Sequence, residues 1–207
     1  QGDYTTQLEL LSENDELGKS LIEMQGSLIK AREEERSRQE EEQKRVWAND
    51  GIALFGEILH RNSNNQDNLL SELLKNFVKY LNANQGAIYL LNENDEEERC
   101  LEMVKAYAWD RQKLASKKIK IGEGLVGACF HEEQTILLTN VPDDYIKIGS
   151  GLGDANPTSI VIVPLKYEAG SLGVIELASF NIFTDYQIDF LEKVCQNVAS
   201  TLSVVKI

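Results

Sequence analysis

Basic residues are scarce in this sequence, and their scarcity excludes several classes of partner. Lysine and arginine number 21 against 34 aspartates and glutamates, which gives a formal net charge of −13 at pH 7. A nucleic-acid site needs a basic surface to meet the phosphates, and an anionic lipid surface attracts basic segments in the same way. The composition therefore argues against a nucleic-acid partner and against docking on anionic lipid.

Long apolar runs and cysteines are also in short supply. No apolar run approaches the roughly 18 residues that a membrane span requires. The three cysteines, Cys100, Cys129 and Cys195, lie far apart and form no CxxC pair. We therefore expect buried free thiols in a reducing compartment, no metal site, and no cofactor that the sequence requires. The chain begins with Gln1 rather than Met, which predicts that it is a segment of a longer protein.

A heptad pattern opens the chain and predicts one helix from about Asn14 to about His60, spanning about 70 Å. The apolar positions of this pattern are Leu10, Leu17, Leu21, Met24, Leu28 and Ala31. A stripe this narrow is buried only by pairing with another helix, so we expect a parallel homodimer through these residues. The seam turns polar between Arg32 and Arg45, in a run without proline or glycine. We expect the helix pair to be loosest in that run.

The remaining sequence predicts one α+β domain. An amphipathic helix at 69–81 follows a polar break with Asn65 or Asp67 as its cap. Strand-like runs lie at 86–91, 100–108, 117–121, 135–139, 159–165 and 171–180, and a short helix lies at 124–131. The stretch 140–157 is long and irregular, which is typical of a functional loop. A last helix, capped by Thr184 or Asp185, has near-heptad spacing that predicts a second part of the dimer interface: Leu191, Cys195, Val198 and Leu202.

Several motifs resemble a GAF domain over about residues 51–205. They are LNANQGAIY at 81–89, GEGLVG at 122–127, IV-VPL at 160–165, GVIELA at 173–178 and FTD at 183–185. The resemblance implies a central antiparallel sheet of about six strands, with the first and last helices packed on one face. On the opposite face, the short helix and the 140–157 stretch would cover a small-molecule pocket.

The pocket hypothesis assigns candidate residues to that second face. They are Trp109, Cys129, Thr139 and Tyr145 as lining, with Asp143, Asp144 and Ser150 in the covering stretch. A stretch that fills its own pocket with aromatic side chains is the equal alternative. The G-x-G-x-x-G at Gly122, Gly124 and Gly127 does not indicate dinucleotide binding, because the helix after it is too short for a parallel crossover.

The first residues resemble the second half of a HAMP domain. The resemblance rests on Gly2-Asp3-Tyr4, Asp15-Glu16-Leu17-Gly18 and Met24. It implies an upstream transmembrane segment, so that this chain would be the cytoplasmic portion of an inner-membrane protein. The organisation is then a HAMP remnant at 1–31, a charged helical linker at 32–50 and a GAF domain at 51–207.

These patterns predict a non-catalytic signalling module. A homodimer would pass a conformational signal through its first and last helices to an effector outside the chain, such as a histidine kinase or cyclase. A small ligand in the GAF pocket would modulate that signal. Two alternatives stay open: a thiol enzyme resembling a free methionine sulfoxide reductase, and a ligand-free structural spacer.

Overall fold

A computed structural model describes residues 15–92, 99–107, 118–143, 145–150, 153–168 and 170–205. The helices and strands, in chain order, are α1 Glu16–Arg61, α2 Gln66–Tyr80, β1 Gln85–Asn92, β2 Cys100–Tyr107, β3 Lys118–Lys120, α3 Gly124–Glu132, β4 Ile136–Leu138, β5 Ile148–Ser150, β6 Gly153–Ala155, β7 Ser159–Tyr167, β8 Gly170–Ser179 and α4 Asp185–Val205. The predicted α+β class is confirmed, as are the long first helix and the short helix after the glycine turn. Within the described ranges, no helix is both long enough and apolar enough to cross a bilayer.

The chain divides into two compact units, residues 1–47 and 48–207. In the described part of the first unit, α1 exposes four predicted seam residues: Leu17 by 72%, Leu21 by 40%, Met24 by 56% and Leu28 by 43%. The charged run is helical as well. Its side chains pair along the same helix, with Arg36 on Glu40 at 2.9 Å and Arg45 on Glu42 at 2.6 Å. Leu10 lies outside the described residues.

A six-stranded antiparallel sheet, in the order β3-β2-β1-β8-β7-β4, is the centre of the second unit. The implied strand number is therefore confirmed. β7 and β8 are apolar on both faces and buried over most of their length, because both faces of the sheet are covered. Successive side chains on a strand point to opposite faces, so each strand contributes to two separate cores.

The first core lies between the sheet and the helices α2, α4 and the end of α1. Phe55 of α1 stacks on Phe77 of α2 with ring centroids 4.3 Å apart, and Phe190 of α4 meets Phe55 edge-on at 5.9 Å. Asn65 caps α2 by accepting a hydrogen bond from the Asn68 backbone at 2.9 Å, which confirms the predicted cap.

The near-heptad residues of α4 lie in this same core, and this corrects the predicted dimer interface. Leu191, Cys195, Val198 and Leu202 are all buried within the single chain. A helix that packs on a sheet needs an apolar stripe at the same spacing as a helix that packs on a helix. Side chains already buried against their own β7 have no surface to offer a second copy.

A two-stranded hairpin interrupts the stretch that the sequence predicts to be irregular. β5 and β6 pair antiparallel, with Ile148 opposite Ala155. Each strand is only three residues long, so there is too little alternation for a sequence pattern to reveal it.

Candidate functional site

The second core lies on the opposite face of the sheet, which we call the covered face. β1 and β8 place alternate residues on it, and α3 and the 140–150 stretch cover it. The buried apolar members include Ala87, Tyr89, Val126, Cys129, Phe130, Ile146, Ile148, Val174 and Ala178. The intervening β1 residues face the helices, because a side chain at Gly86 would strike Leu74 of α2. The covered face is the place where the sequence predicts a pocket.

One carboxylate lies in the middle of this apolar face. Glu176 is only 2% exposed. The Tyr145 hydroxyl donates to its Oε1 at 2.8 Å, and the Tyr89 hydroxyl donates to its Oε2 at 3.1 Å. Ala87 is the residue directly opposite Glu176 on β1, and its small side chain leaves room for the carboxylate. The structure therefore holds a Glu-Tyr-Tyr cluster under its cover.

Both tyrosine hydroxyls are donors in this cluster. Burial raises the pKa of Tyr89 and of Tyr145, and the neighbouring Glu176 raises both pKa values further. The phenols therefore stay protonated throughout the neutral range. Each hydroxyl donates a hydrogen bond to the Glu176 carboxylate. These bonds stabilise the carboxylate, which would be costly to bury without partners.

Gln85 adds a second buried polar group to the covered face. It is 1% exposed, and it stands two residues before Ala87 on β1, opposite Ala178 of β8. This register makes Gln85 a diagonal neighbour of Glu176, at a Cβ separation of about 7 Å. Its Nε2 has no hydrogen-bond acceptor among the residues that the structure describes. A buried amide donor without a hydrogen-bond acceptor is unusual in a folded protein.

A cleft of about 230 Å³ adjoins the cluster on the side of β3 and α3. Its lining is Lys118, Ile119, Glu123, Gly124, Leu125, Val126 and Tyr145. Tyr145 thus has one surface toward the cleft while its hydroxyl contacts the buried carboxylate. Tyr145 is therefore the residue that both lines the cleft and contacts Glu176.

The structure brings together only part of the predicted pocket. Cys129 and Tyr145 both belong to the covered face. Thr139 and Asp143 are exposed at the surface, where Asp143 accepts a hydrogen bond from the Asn156 amide. Their assignment as pocket residues is corrected, because their side chains are exposed, whereas their neighbours Leu138 and Val141 pack against the apolar cluster. Trp109 and Asp144 lie outside the described residues, and Ser150 lies on β5 with its side chain outside the described set.

Sequence reasoning missed Glu176, Tyr89 and Gln85, although one signal was available. Glu176 is the only charged residue in the ten-residue strand β8. A charged residue within a strand that is buried on both faces calls for a partner or a function.

The three cysteines are buried and free, as predicted. The Cys129 thiol donates to the Ile162 carbonyl at 3.5 Å, and burial raises its pKa to about 12. Burial also raises the pKa of Cys195, with smaller contributions from Cys129 and Glu192. Across the described ranges, no group of three or more histidine, cysteine or acidic side chains is arranged to hold a metal ion. These environments suit packing and disfavour a thiolate nucleophile.

The sheet order, the helices on one face and the covered face on the other agree with one family. The family model for the GAF domain matches residues 63–203. The chain is a member of the GAF domain family. A search of curated protein sequences finds no match.

Several solved structures share the fold at low sequence identity. The GAF domain of a phosphoenolpyruvate-protein phosphotransferase from Coxiella burnetii is 16% identical, with a TM-score of 0.60 over 77% of this chain and 96% of that one. Residues 122 to 287 of a methyl-accepting chemotaxis protein are 18% identical, with a TM-score of 0.55 over 72% and 96%. Free methionine-R-sulfoxide reductase from Neisseria meningitidis is 17% identical, with a TM-score of 0.56 over 75% and 92%. These likenesses show the fold alone.

Proposed function

We propose that this GAF domain is the sensor and relay module of a dimeric transmembrane signalling protein. The observation that carries the proposal is the character of α1. Its first half exposes a heptad stripe, whereas its last turns place Phe55 and Leu59 in the sensor's own core. A single helix therefore holds both a surface suited to a second copy and a direct attachment to the sensor.

The exposed stripe favours a second copy as its cover. Burying one leucine or methionine side chain contributes about 1.5–3 kcal/mol, and the stripe offers Leu17, Leu21, Met24 and Leu28 from each chain. Helices have little stability in water without such packing. Two copies in parallel register would cover both stripes at once.

In the proposed relay, the two ends of α1 have different roles. A shift of the helix pair would reach Phe55, whose ring stacks on Phe77, and close-packed cores transmit such shifts instead of absorbing them. In the charged run, Glu35 pairs with Arg38 and Glu42 with Arg45 on the same helix, so these side chains do little to fix a partner's register. We place the loosest part of the dimer there. The upstream membrane segment and the downstream effector, of the histidine kinase or cyclase type, belong to this proposal, which the chemotaxis protein of the same fold supports.

A pair of matched double variants tests the dimer. We expect L21E/L28E to raise the dissociation constant of the homodimer about 100-fold, because it places four carboxylates in one seam. The control I22E/I29E makes the same change one residue further along the helix, about 100° away from the seam. Ile22 and Ile29 are 36% and 37% exposed, close to the two leucines, so the control should leave the constant within about threefold.

Sedimentation velocity over a concentration series measures both constants. A wild-type monomer at tens of micromolar would contradict the proposal. Equal losses in the two double variants would also contradict it, since the association would then not depend on the heptad seam.

Thiol reactivity tests the alternative that the chain is a reductase. A pKa raised from 9.0 to about 12 leaves about a thousandfold less thiolate on Cys129 at neutral pH. We expect Ellman's reagent to modify the native protein at least about 100-fold more slowly than the protein in 6 M guanidinium, where all three thiols are accessible. A native thiol that reacts as fast as in the unfolded chain would favour the enzyme.

A further inference from the structure

We infer that the cluster of Glu176, Tyr145 and Gln85 is a recognition site for a small ligand that carries a protonated amine, an adjacent carbonyl and a short apolar body. The inference names the ligand class for the sensor proposed above, and it rests on that proposal. It depends on three features of the covered face: a buried acceptor, a buried donor without an acceptor among the described residues, and one tyrosine that contacts the buried acceptor and lines a cleft.

Glu176 supplies the site for the amine. Its carboxylate is buried and accepts from the Tyr145 and Tyr89 hydroxyls. A ligand ammonium that replaced the Tyr145 hydroxyl would exchange a neutral donor for a charged one. Charge-assisted hydrogen bonds are shorter and about twice as strong as neutral ones, so this exchange favours the ligand.

Tyr145 is the side chain that such a ligand would displace. It lines the cleft beside β3 and α3, and its hydroxyl reaches Oε1 of Glu176. Rotation of this one side chain would join the cleft to the carboxylate. Tyr89 contacts the other oxygen, Oε2, so it can hold the carboxylate in place during the exchange.

Gln85 supplies the site for the carbonyl. Its Nε2 is buried and lacks an acceptor among the described residues. A ligand oxygen placed next to the amine would satisfy that donor, because Gln85 and Glu176 are diagonal neighbours on adjacent strands about 7 Å apart. The pair therefore selects a ligand with a donor and an acceptor at neighbouring atoms.

The walls of the cleft set the size and the body of the ligand. Ile119, Leu125 and Val126 give the cleft apolar walls, and the charged Lys118 and Glu123 also line it. Its volume of about 230 Å³ is below the range of about 300–1,000 Å³ typical of drug-sized ligands. An amine of amino-acid size with a branched aliphatic side chain matches these walls.

Three probes of nearly the same shape separate these features. Leucinamide carries the amine, the carbonyl and the branched body, 4-methylpentanamide lacks the amine, and 3-methylbutylamine lacks the carbonyl. By calorimetric titration of the whole chain at pH 7, we expect leucinamide to bind at least about 10-fold tighter than 4-methylpentanamide. We expect 3-methylbutylamine to fall between them, because it keeps only the bond to Glu176.

Variants of the whole chain assign the contacts. E176Q keeps the shape of the side chain and should weaken leucinamide binding at least about 10-fold, which removes its preference over 4-methylpentanamide. Y145F removes the competing hydroxyl and should increase the affinity for leucinamide about three- to tenfold. Q85L should abolish the preference for leucinamide over 3-methylbutylamine.

Several results would overturn the inference. They are the absence of leucinamide binding, equal affinity for leucinamide and 4-methylpentanamide, an unchanged affinity in E176Q, and weaker binding in Y145F. Y145F stays informative if E176Q does not fold. The sedimentation series on the same samples distinguishes the two proposals. A dimer that does not bind leucinamide would support the relay and contradict this inference. A monomer that binds leucinamide would contradict the relay and support the binding site.

Discussion

Replacing Phe55 with alanine is expected to destabilise the GAF domain by about 3–5 kcal/mol. The ring is buried, stacks on Phe77 at 4.3 Å and meets Tyr80 and Phe190 edge-on. Its removal leaves a cavity among three aromatic rings that cannot all move inward, because Phe77 and Tyr80 belong to α2 and Phe190 belongs to α4, and both helices pack on the sheet. Aromatic pairs also contribute beyond the area that they bury.

Leu54→Ala is the matched control for this change. Leu54 is the preceding residue on the same helix and is 37% exposed, so its loss should cost less than about 1 kcal/mol. Urea denaturation followed by circular dichroism measures both values. If F55A and L54A lost the same stability, the end of α1 would not be part of the core.

The Phe55 contacts bear on where the GAF domain begins. The GAF family model matches from residue 63, whereas the core takes Phe55 and Leu59 from α1. The compact unit itself begins at Ala48. The last turns of α1 therefore belong to the same compact unit as the sheet. Under the relay proposal, a rotation of these turns would change the packing of Phe77 and Phe190 directly.

Local periodicity made the helices and most strands predictable. α1 has a heptad pattern over its first half, and α2 has an apolar stripe preceded by a capping asparagine. Such signals depend only on residues within a few positions of one another. They say which face of an element is apolar and leave open what covers it. The near-heptad residues of α4 show this limit, because their cover is the chain's own sheet.

The sequence could mark Glu176 as an unusual residue in a buried strand, but it could not identify the two tyrosine partners, for a related reason. Tyr89 and Glu176 are 87 positions apart, and Tyr145 and Glu176 are 31 apart. Their meeting depends on the order of the strands and on the path of an irregular segment. Tyr145 was predicted as a pocket residue because of its segment, but its partner was not. The structure agrees with the alternative that the covering stretch fills its own pocket, because the Tyr145 hydroxyl donates a hydrogen bond to the Glu176 carboxylate.

Gly173→Ala is expected to destabilise the GAF domain by about 3 kcal/mol, which lowers its melting temperature by about 6–12 °C. A methyl group at Gly173 would lie 2.1 Å from the Tyr89 carbonyl oxygen and 3.1 Å from the Leu90 Cα. Both are backbone atoms of β1, so no side chain can turn aside to make room. β1 and β8 are the two central strands, and separating them lengthens their shared hydrogen bonds.

Gly56→Ala is the control, with an effect of the opposite sign. A methyl group at Gly56 meets no atom within 4 Å, and the residue lies in the interior of α1. Alanine is favoured over glycine there, so this variant should gain about 0.5–1 kcal/mol. Scanning calorimetry of both variants gives the comparison, and a G173A loss below about 1 kcal/mol would contradict the close approach of β1 and β8. Because Tyr89 holds one oxygen of Glu176, G173A should also weaken leucinamide binding in the fraction that stays folded. A strand contact remote from the cleft would thus be tied to the same carboxylate that we assign to the amine.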